Sequence, residues 1–255
     1  TPEPREGNPT PRTVETPAGM LNSIGLPNPG AKDAVREKSR IWRDLPCPVV
    51  VSISAHDEST WTELASQFDG LTNVVGIEAN LSCPNVAGGL DFSTDPDRTA
   101  TTVEAVSKGT SLPVIAKLSP NVTDIRPIAR AAEAAGAHAL SLINTVLGMV
   151  IDPDVGRPFL GAGVGGLSGP AIRPIAVRCV YQVAGVVSIP IIGIGGIVTG
   201  SDALQFFLAG ASSVQVGTAT FREPRAAERL VTCLYEYLEQ RSHESINDII
   251  GSARQ

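Results

Sequence analysis

Cysteine, histidine and aromatic residues are all scarce in this 255-residue chain, and each shortage removes a class of function. Cys47, Cys83, Cys179 and Cys233 are the only cysteines; they lie far apart and form no CxxC pair. Neither a zinc site nor a compact disulfide framework is indicated, and a reduced cytosolic compartment fits best. His56, His138 and His243 are scattered and read as surface or hydrogen-bonded core residues rather than metal ligands. No apolar run reaches the roughly 18 residues of a membrane span, because charges or prolines interrupt every one. Basic residues are in the minority, 20 against 26 acidic, for a formal net charge of −6. With no basic run and no aromatic–basic interleaving, neither nucleic acid nor a membrane is an expected partner. The first residues, Thr1 to Pro9, show no initiator Met and no signal-peptide pattern, and read like the loop after a removed segment.

What is present is a repeat of apolar runs and amphipathic stretches. Strand-like runs occupy 48–54, 73–80, 113–118, 137–144, 189–194 and 213–217. Near-continuous apolar runs of this length mark strands buried on both faces, as in a parallel sheet. Helical patterns fall at 59–68, with Ser59 as N-cap, and at 95–108, opened by Asp95-Pro96. Others fall at 123–135, stopped by Gly136, and at 171–184, 201–208 and 224–241. One α/β domain over residues 1–255 is expected. An open dinucleotide-binding sheet would carry GxGxxG straight after an early strand, and none is found there. A (β/α)8 TIM-type barrel instead places a phosphate site after its last two strands. Gly195-Gly196 and Gly217-Thr218 follow the last two runs, where free N–H groups at a helix entrance favour an anion. Six runs do not close eight strands, so the expectation is a barrel lacking its first two strands in this chain.

On that map, residues with chemistry collect at strand C-terminal ends. Asn80 and Cys83 follow one strand, in Asn80-Leu81-Ser82-Cys83-Pro84-Asn85. Pro84 and Gly88-Gly89 break any helix there, so the thiol should lie on a loop, flanked by the amides Asn80 and Asn85. The alternative is a buried cysteine acting as a small hydrophobe. Lys117 interrupts the apolar run 113–118, and an inward-facing ammonium needs an anionic or electron-rich partner; a structural ion pair is the plainer reading. Asn144-Thr145 end another strand, where a turn and a ligand contact are equally compatible.

These segments resemble class 1 dihydroorotate dehydrogenases. The resemblance rests on Arg5-Glu6-Gly7-Asn8-Pro9, Leu21 to Asn28, Asn80 to Asn85 and Ala116-Lys117-Leu118-Ser119-Pro120-Asn121. It continues through Ile143-Asn144-Thr145, Gly165 to Pro170, Ile192 to Ile197 and Gln215 to Ala219. A cysteine at position 83 is similar to class 1, and Asn144 to Met149 with Gly165 to Pro170 is most similar to the NAD-linked 1B subtype. The resemblance implies FMN-dependent oxidation of dihydroorotate to orotate in pyrimidine synthesis, with Cys83 as the base. It implies substrate contacts from Asn22, Ile24, Gly25, Leu26, Asn80, Asn85, Asn144 and Thr145. It implies FMN contacts from Asn80, Lys117, Ile143, Gly169, Gly195, Gly196, Gly217 and Thr218, and no metal site. Implied partners are a second copy in a homodimer and, in a heterotetramer, a subunit carrying FAD and a [2Fe–2S] cluster. Residues 81–92 read as a lid, and 148–161 as an excursion with a turn at Asp152-Pro153-Asp154. The competing expectations are the pyrimidine-reducing barrel of a dihydropyrimidine dehydrogenase and an inactive phosphate-ligand binder.

Overall fold

The computed structural model describes residues 1–81 and 94–254. In chain order the strands are β1 (Thr13–Thr16), β2 (Gly19–Asn22), β3 (Val49–Ile53), β4 (Val74–Asn80), β5 (Val114–Leu118) and β6 (Ala139–Leu142). They continue with β7 (Val146–Gly148), β8 (Ile151–Asp152), β9 (Arg157–Pro158), β10 (Gly165–Ser168), β11 (Ile191–Ile194) and β12 (Ser213–Gln215). The helices are α1 (Ala31–Arg43), α2 (Glu58–Ser66), α3 (Pro96–Gly109), α4 (Arg126–Ala134), α5 (Arg173–Val183), α6 (Gly200–Ala209), α7 (Ala219–Arg222) and α8 (Ala226–Gln240). All six expected strands form, each inside its apolar run. The chain makes two compact units, one of Thr1–Asn8, Ile24–Leu118 and Pro127–Leu140, the other of Pro9–Ser23, Ser119–Arg126 and Ser141–Gln255.

In the first unit β3, β4 and β5 pair in parallel, with Ser52 opposite Glu78 and Asn80 opposite Lys117. The side chains of Ile53, Ile77, Ala79, Val114, Ala116 and Leu118 are buried, as their run of apolar residues requires. The β3 edge departs from that rule. Val50, on the terminal strand β3, stays 44% exposed, and Val75, at the start of β4 beside it, 45%. The helices α2 and α3 pack through Trp61, Leu64, Val103 and Val106, all buried. Their backbones come close: a Cβ on Gly109 would lie 2.1 Å from the Thr62 carbonyl oxygen, and the Thr62 hydroxyl donates to the Ala105 carbonyl at 2.8 Å.

The N-cap of α2 is Asp57, not Ser59. Its carboxylate accepts from the Thr60 N–H at 2.9 Å and from the Ser59 and Thr60 hydroxyls, each at 2.6 Å. A carboxylate accepts more bonds at a helix start than a hydroxyl, so the cap moves two residues upstream. These bonds hold the Asp57 carboxyl down at about 2. The start of α3 follows expectation, with Asp95 capping the Arg98 N–H and Pro96 in the first turn. His138 is exposed rather than buried, and its Nδ1 accepts from the Val114 N–H at 3.2 Å.

The second unit holds the parallel pair β11–β12 and a sheet absent from the sequence reading, ordered β1-β2-β10-β7 and antiparallel throughout. Behind β11, α5 and α6 bury Ala176, Cys179, Val180, Val183, Phe206 and Phe207. The excursion after β7 includes the hairpin β8–β9, turned by Asp152, whose carboxylate accepts from the Asp154 and Val155 N–H groups. No helix among the described residues is long and apolar enough to cross a membrane.

Candidate functional site

In the first unit the polar residues sit where apolar strands end. Glu78, on β4, is only 5% exposed, and a buried carboxylate needs compensation. It receives the Ser52 hydroxyl at 3.0 Å and the Lys117 ammonium at 3.4 Å, both on Oε1. The ion-pair partner anticipated for Lys117 is therefore Glu78. An ammonium has three donors, and Glu78 is the only group among the described residues that takes one. Asn80 ends β4 directly opposite Lys117.

The Ile24-Gly25-Leu26 turn is also in this unit. Gly25 has φ 80° and Leu26 φ 54°, both in the left-handed region. The turn is pinned from the Arg5–Pro9 motif: Asn8 N–H donates to the Ile24 carbonyl at 3.0 Å, and Arg5 Nε donates to the Gly25 carbonyl at 3.3 Å. A Cβ on Gly25 would stand 2.5 Å from the Asn8 nitrogen, so only glycine lets the two segments approach this closely.

In the second unit Asn22, Asn144 and Thr145 gather around Gly166. Asn22 pairs with Gly166 across β2 and β10, and its Nδ2 donates to the Gly166 carbonyl at 3.3 Å. A Cβ on Gly166 would lie 2.0 Å from the Thr145 hydroxyl oxygen, so the glycine makes the space that Thr145 fills. The Asn144 side-chain carbonyl accepts the Thr145 N–H at 2.7 Å.

A second cluster of this unit is a glycine-lined loop set. Gly169, Gly195 and Gly196 have φ of 90°, 134° and 70°. A Cβ on Gly196 would stand 2.6 Å from the Gly169 carbonyl oxygen, which brings the loops after β10 and β11 together. Ile143 N–H donates to the Ile194 carbonyl at 3.0 Å, and the Thr218 hydroxyl donates to Ser168 Oγ at 2.7 Å. Nothing lies within 4 Å of where a Gly217 Cβ would be, so the backbone there borders open space. Among the described residues, the N–H groups of Gly196, Gly217 and Thr218 donate no hydrogen bond outside helices and strand ladders. Backbone donors beside open space suit an anion such as a flavin phosphate.

The end of α6 is already filled by its own carboxylate: Asp202 accepts from Val198 and Thr199 N–H at 3.0 and 2.8 Å and closes a capping box with Thr199. It also pairs with Arg173. α7 is a single turn, Ala219–Arg222, with little dipole to offer. Any anion is therefore met by loop N–H groups, with Asp202 and Arg173 bracing the loop from below.

Cys83 and Asn85, and the expected lid, lie outside the described residues. Sequence reasoning missed Glu78, although an acidic residue in an apolar strand is the same signal that drew attention to Lys117.

Parallel strands alternating with helices define an α/β fold of the TIM-barrel class. The chain belongs to the dihydroorotate dehydrogenase family, whose profile matches residues 1–238. Relatives named dihydroorotate dehydrogenase B (NAD(+)), catalytic subunit, include those of Geobacter sp. strain M21 and Desulforudis audaxviator. The first is 51% identical over 251 residues and the second 52% over 252, each match covering 98% of this chain and 82% of the relative. Among solved structures, the DHODH of Eimeria tenella in complex with ferulenol superposes with a TM-score of 0.84 at 25% identity. That match covers 100% of this chain and 77% of the other.

Proposed function

We propose that this chain oxidises dihydroorotate to orotate in pyrimidine biosynthesis, as the catalytic subunit of an NAD-linked enzyme. The carrying observation is that Asn22 and the adjacent pair Asn144–Thr145, from two separate segments of the sequence, meet around Gly166 of a third. Convergent amides and a hydroxyl suit a small ring bearing amide and carboxylate edges.

In this reading Cys83 takes the proton from C5 of the substrate while a hydride leaves C6, so that the C5–C6 bond becomes double. Bound FMN supplies the hydride acceptor. Asn22, Asn80, Asn85, Asn144 and Thr145 hold the pyrimidine so that C5 faces the sulfur, and the backbone at Ile24-Gly25-Leu26 receives the carboxylate. Lys117 provides fixed positive charge for the flavin ring. Ile143, Gly169, Gly195, Gly196, Gly217 and Thr218 hold the cofactor and its phosphate. A thiol with an ordinary pKa is only partly ionised at neutral pH, so the rate rises with pH unless the loop lowers that value. Relatives named as catalytic subunits support a partner subunit; in this reading that partner transfers electrons through FAD and a [2Fe–2S] cluster, on a homodimeric core in the cytoplasm.

Anaerobic mixing of the purified protein with dihydroorotate tests the proposal. Flavin absorbance near-stoichiometric with protein, bleached by dihydroorotate, is the expected result. A protein without flavin, or a bound flavin indifferent to dihydroorotate but reduced by dihydrouracil, would overturn it.

A further inference from the structure

We propose that Asn121 is the positioning residue of the substrate-binding pair Asn144–Thr145, an inference that rests on the substrate reading above. Asn121 lies in the loop after β5, within the second unit, and its side chain spans the turn that follows Asn144. Its Nδ2 donates to the Thr145 carbonyl at 3.1 Å, and its Oδ1 accepts the Leu147 N–H at 2.9 Å. One amide thus grips the backbone on both sides of Val146.

The amide itself cannot turn over. Ser119, 1% exposed, offers its Oγ to both the Asn121 N–H at 3.2 Å and Nδ2 at 3.0 Å. A flipped amide would set its oxygen against the Thr145 carbonyl and its nitrogen against the Leu147 N–H, losing both bonds. Pro120, between Ser119 and Asn121, stiffens the backbone with a fixed φ.

The far side of Thr145 is equally constrained, since its hydroxyl occupies the space that a Cβ on Gly166 would take. Its N–H is engaged by the Asn144 side chain at 2.7 Å, so the orientation of Thr145 is communicated to the Asn144 amide. Without Asn121 the peptide after Thr145 keeps only the β7–β10 pairing that begins at Val146, and the direction of both ligand-facing groups is less firmly fixed. The sequence motif Ala116–Asn121 contains this residue, but its role lies in a contact 24 positions away, which spacing alone does not reveal.

Asn121→Asp is the sharpest test, because it is nearly isosteric and keeps the acceptor for Leu147. It removes the donor to Thr145 and sets a carboxylate against that carbonyl. Asn121→Ser, which removes both grips, is the second variant. Both are made in the flavin-loaded enzyme, and orotate binding is followed through the perturbation of the flavin spectrum, beside kcat and KM for dihydroorotate. Losing one partly buried hydrogen bond and opposing two acceptors should weaken orotate binding and raise KM about tenfold or more, with flavin content retained. Orotate binding within twofold of the parent in either folded variant overturns the assignment. Unfolding or loss of flavin in both variants also overturns it, in favour of a purely structural role. A parent protein whose flavin spectrum ignores orotate instead brings down the substrate reading, and this assignment with it.

Discussion

Lys117 Nζ stands 3.4 Å from Glu78 Oε1, and the two are unequally sheltered, the lysine side chain 20% exposed and the glutamate 7%. At that distance the contact is looser than the 2.7–2.9 Å of a tight charge-assisted bond. The carboxylate depends on the ammonium more than the reverse. Glu78 is held in the sheet with Ser52 and Lys117 around one oxygen, whereas Lys117 keeps donors for a further group.

Removing the lysine alone therefore has two consequences that a double variant separates. Lys117→Ala leaves a buried carboxylate without its counter-charge, a loss on the order of 3 kcal/mol for buried pairs. Lys117→Met with Glu78→Gln should recover most of that stability in urea unfolding but still bind FMN weakly. If flavin affinity returns together with stability, Lys117 serves the sheet and not the cofactor.

Alanine at two glycines should give opposite profiles. Gly166→Ala meets the Thr145 side chain at 2.0 Å and should destabilise the fold by about 1–3 kcal/mol while raising KM for dihydroorotate. Gly217→Ala has nothing within 4 Å to strike, so its melting temperature should stay close to the parent's. Its methyl would enter the space assigned to the FMN phosphate, and flavin should be lost on dilution, read by the rise of free-flavin fluorescence. Undiminished flavin affinity in Gly217→Ala would place the phosphate elsewhere.

Cys83→Ser should slow reduction of the flavin by dihydroorotate roughly 100-fold or more, the usual weight of a positioned general base, with FMN still bound. Stopped-flow reduction at the parent's rate would remove the thiol from the mechanism. By contrast Cys179 is 1% exposed, and burial pushes its thiol pKa up. It should resist alkylation at neutral pH in the folded protein, while exposed Cys47 and Cys233 are modified, as peptide mapping would show.

The Asp57 cap supplies a pH dependence of known sign. Its carboxyl falls from the usual 3.8 to about 2 in the folded chain. A depressed folded value stabilises above the unfolded pKa and is lost as pH falls through the folded one. The melting temperatures of parent and Asp57→Ala should thus differ by a constant amount from neutral pH down to about pH 4 and converge toward pH 2. A gap that stays constant all the way down to pH 2 would mean that Asp57 titrates normally.

The parallel strands were legible because each is an apolar run between turn residues, and the structure trims them by only a few positions. The antiparallel sheet was not: β10 is Gly-Gly-Leu-Ser, held by its neighbours rather than by any alternation of its own. Helix α1 escaped for a related reason. Its apolar residues Ala31, Ala34, Val35, Ile41 and Trp42 do fall at helical spacing, but they are few among charged neighbours and only Ala31 is buried. Asn22, Asn144 and Thr145 were visible through family motifs, and their meeting point in the second unit follows from Gly166. Glu78 and Asn121 lay beside or within those motifs, but their importance is a matter of partners, which only coordinates supply.

Ser52, Glu78 and Lys117 also occupy three successive strands on one face, Ser52 directly opposite Glu78 and Lys117 two residues beyond the position opposite it. Side chains alternate along a strand, so sliding β5 by one place would turn the ammonium to the other face and break its bond to the carboxylate. The apolar residues tolerate such a slip far better, since β5 is apolar at almost every position. These three polar groups therefore fix a register that the apolar residues alone would leave loose.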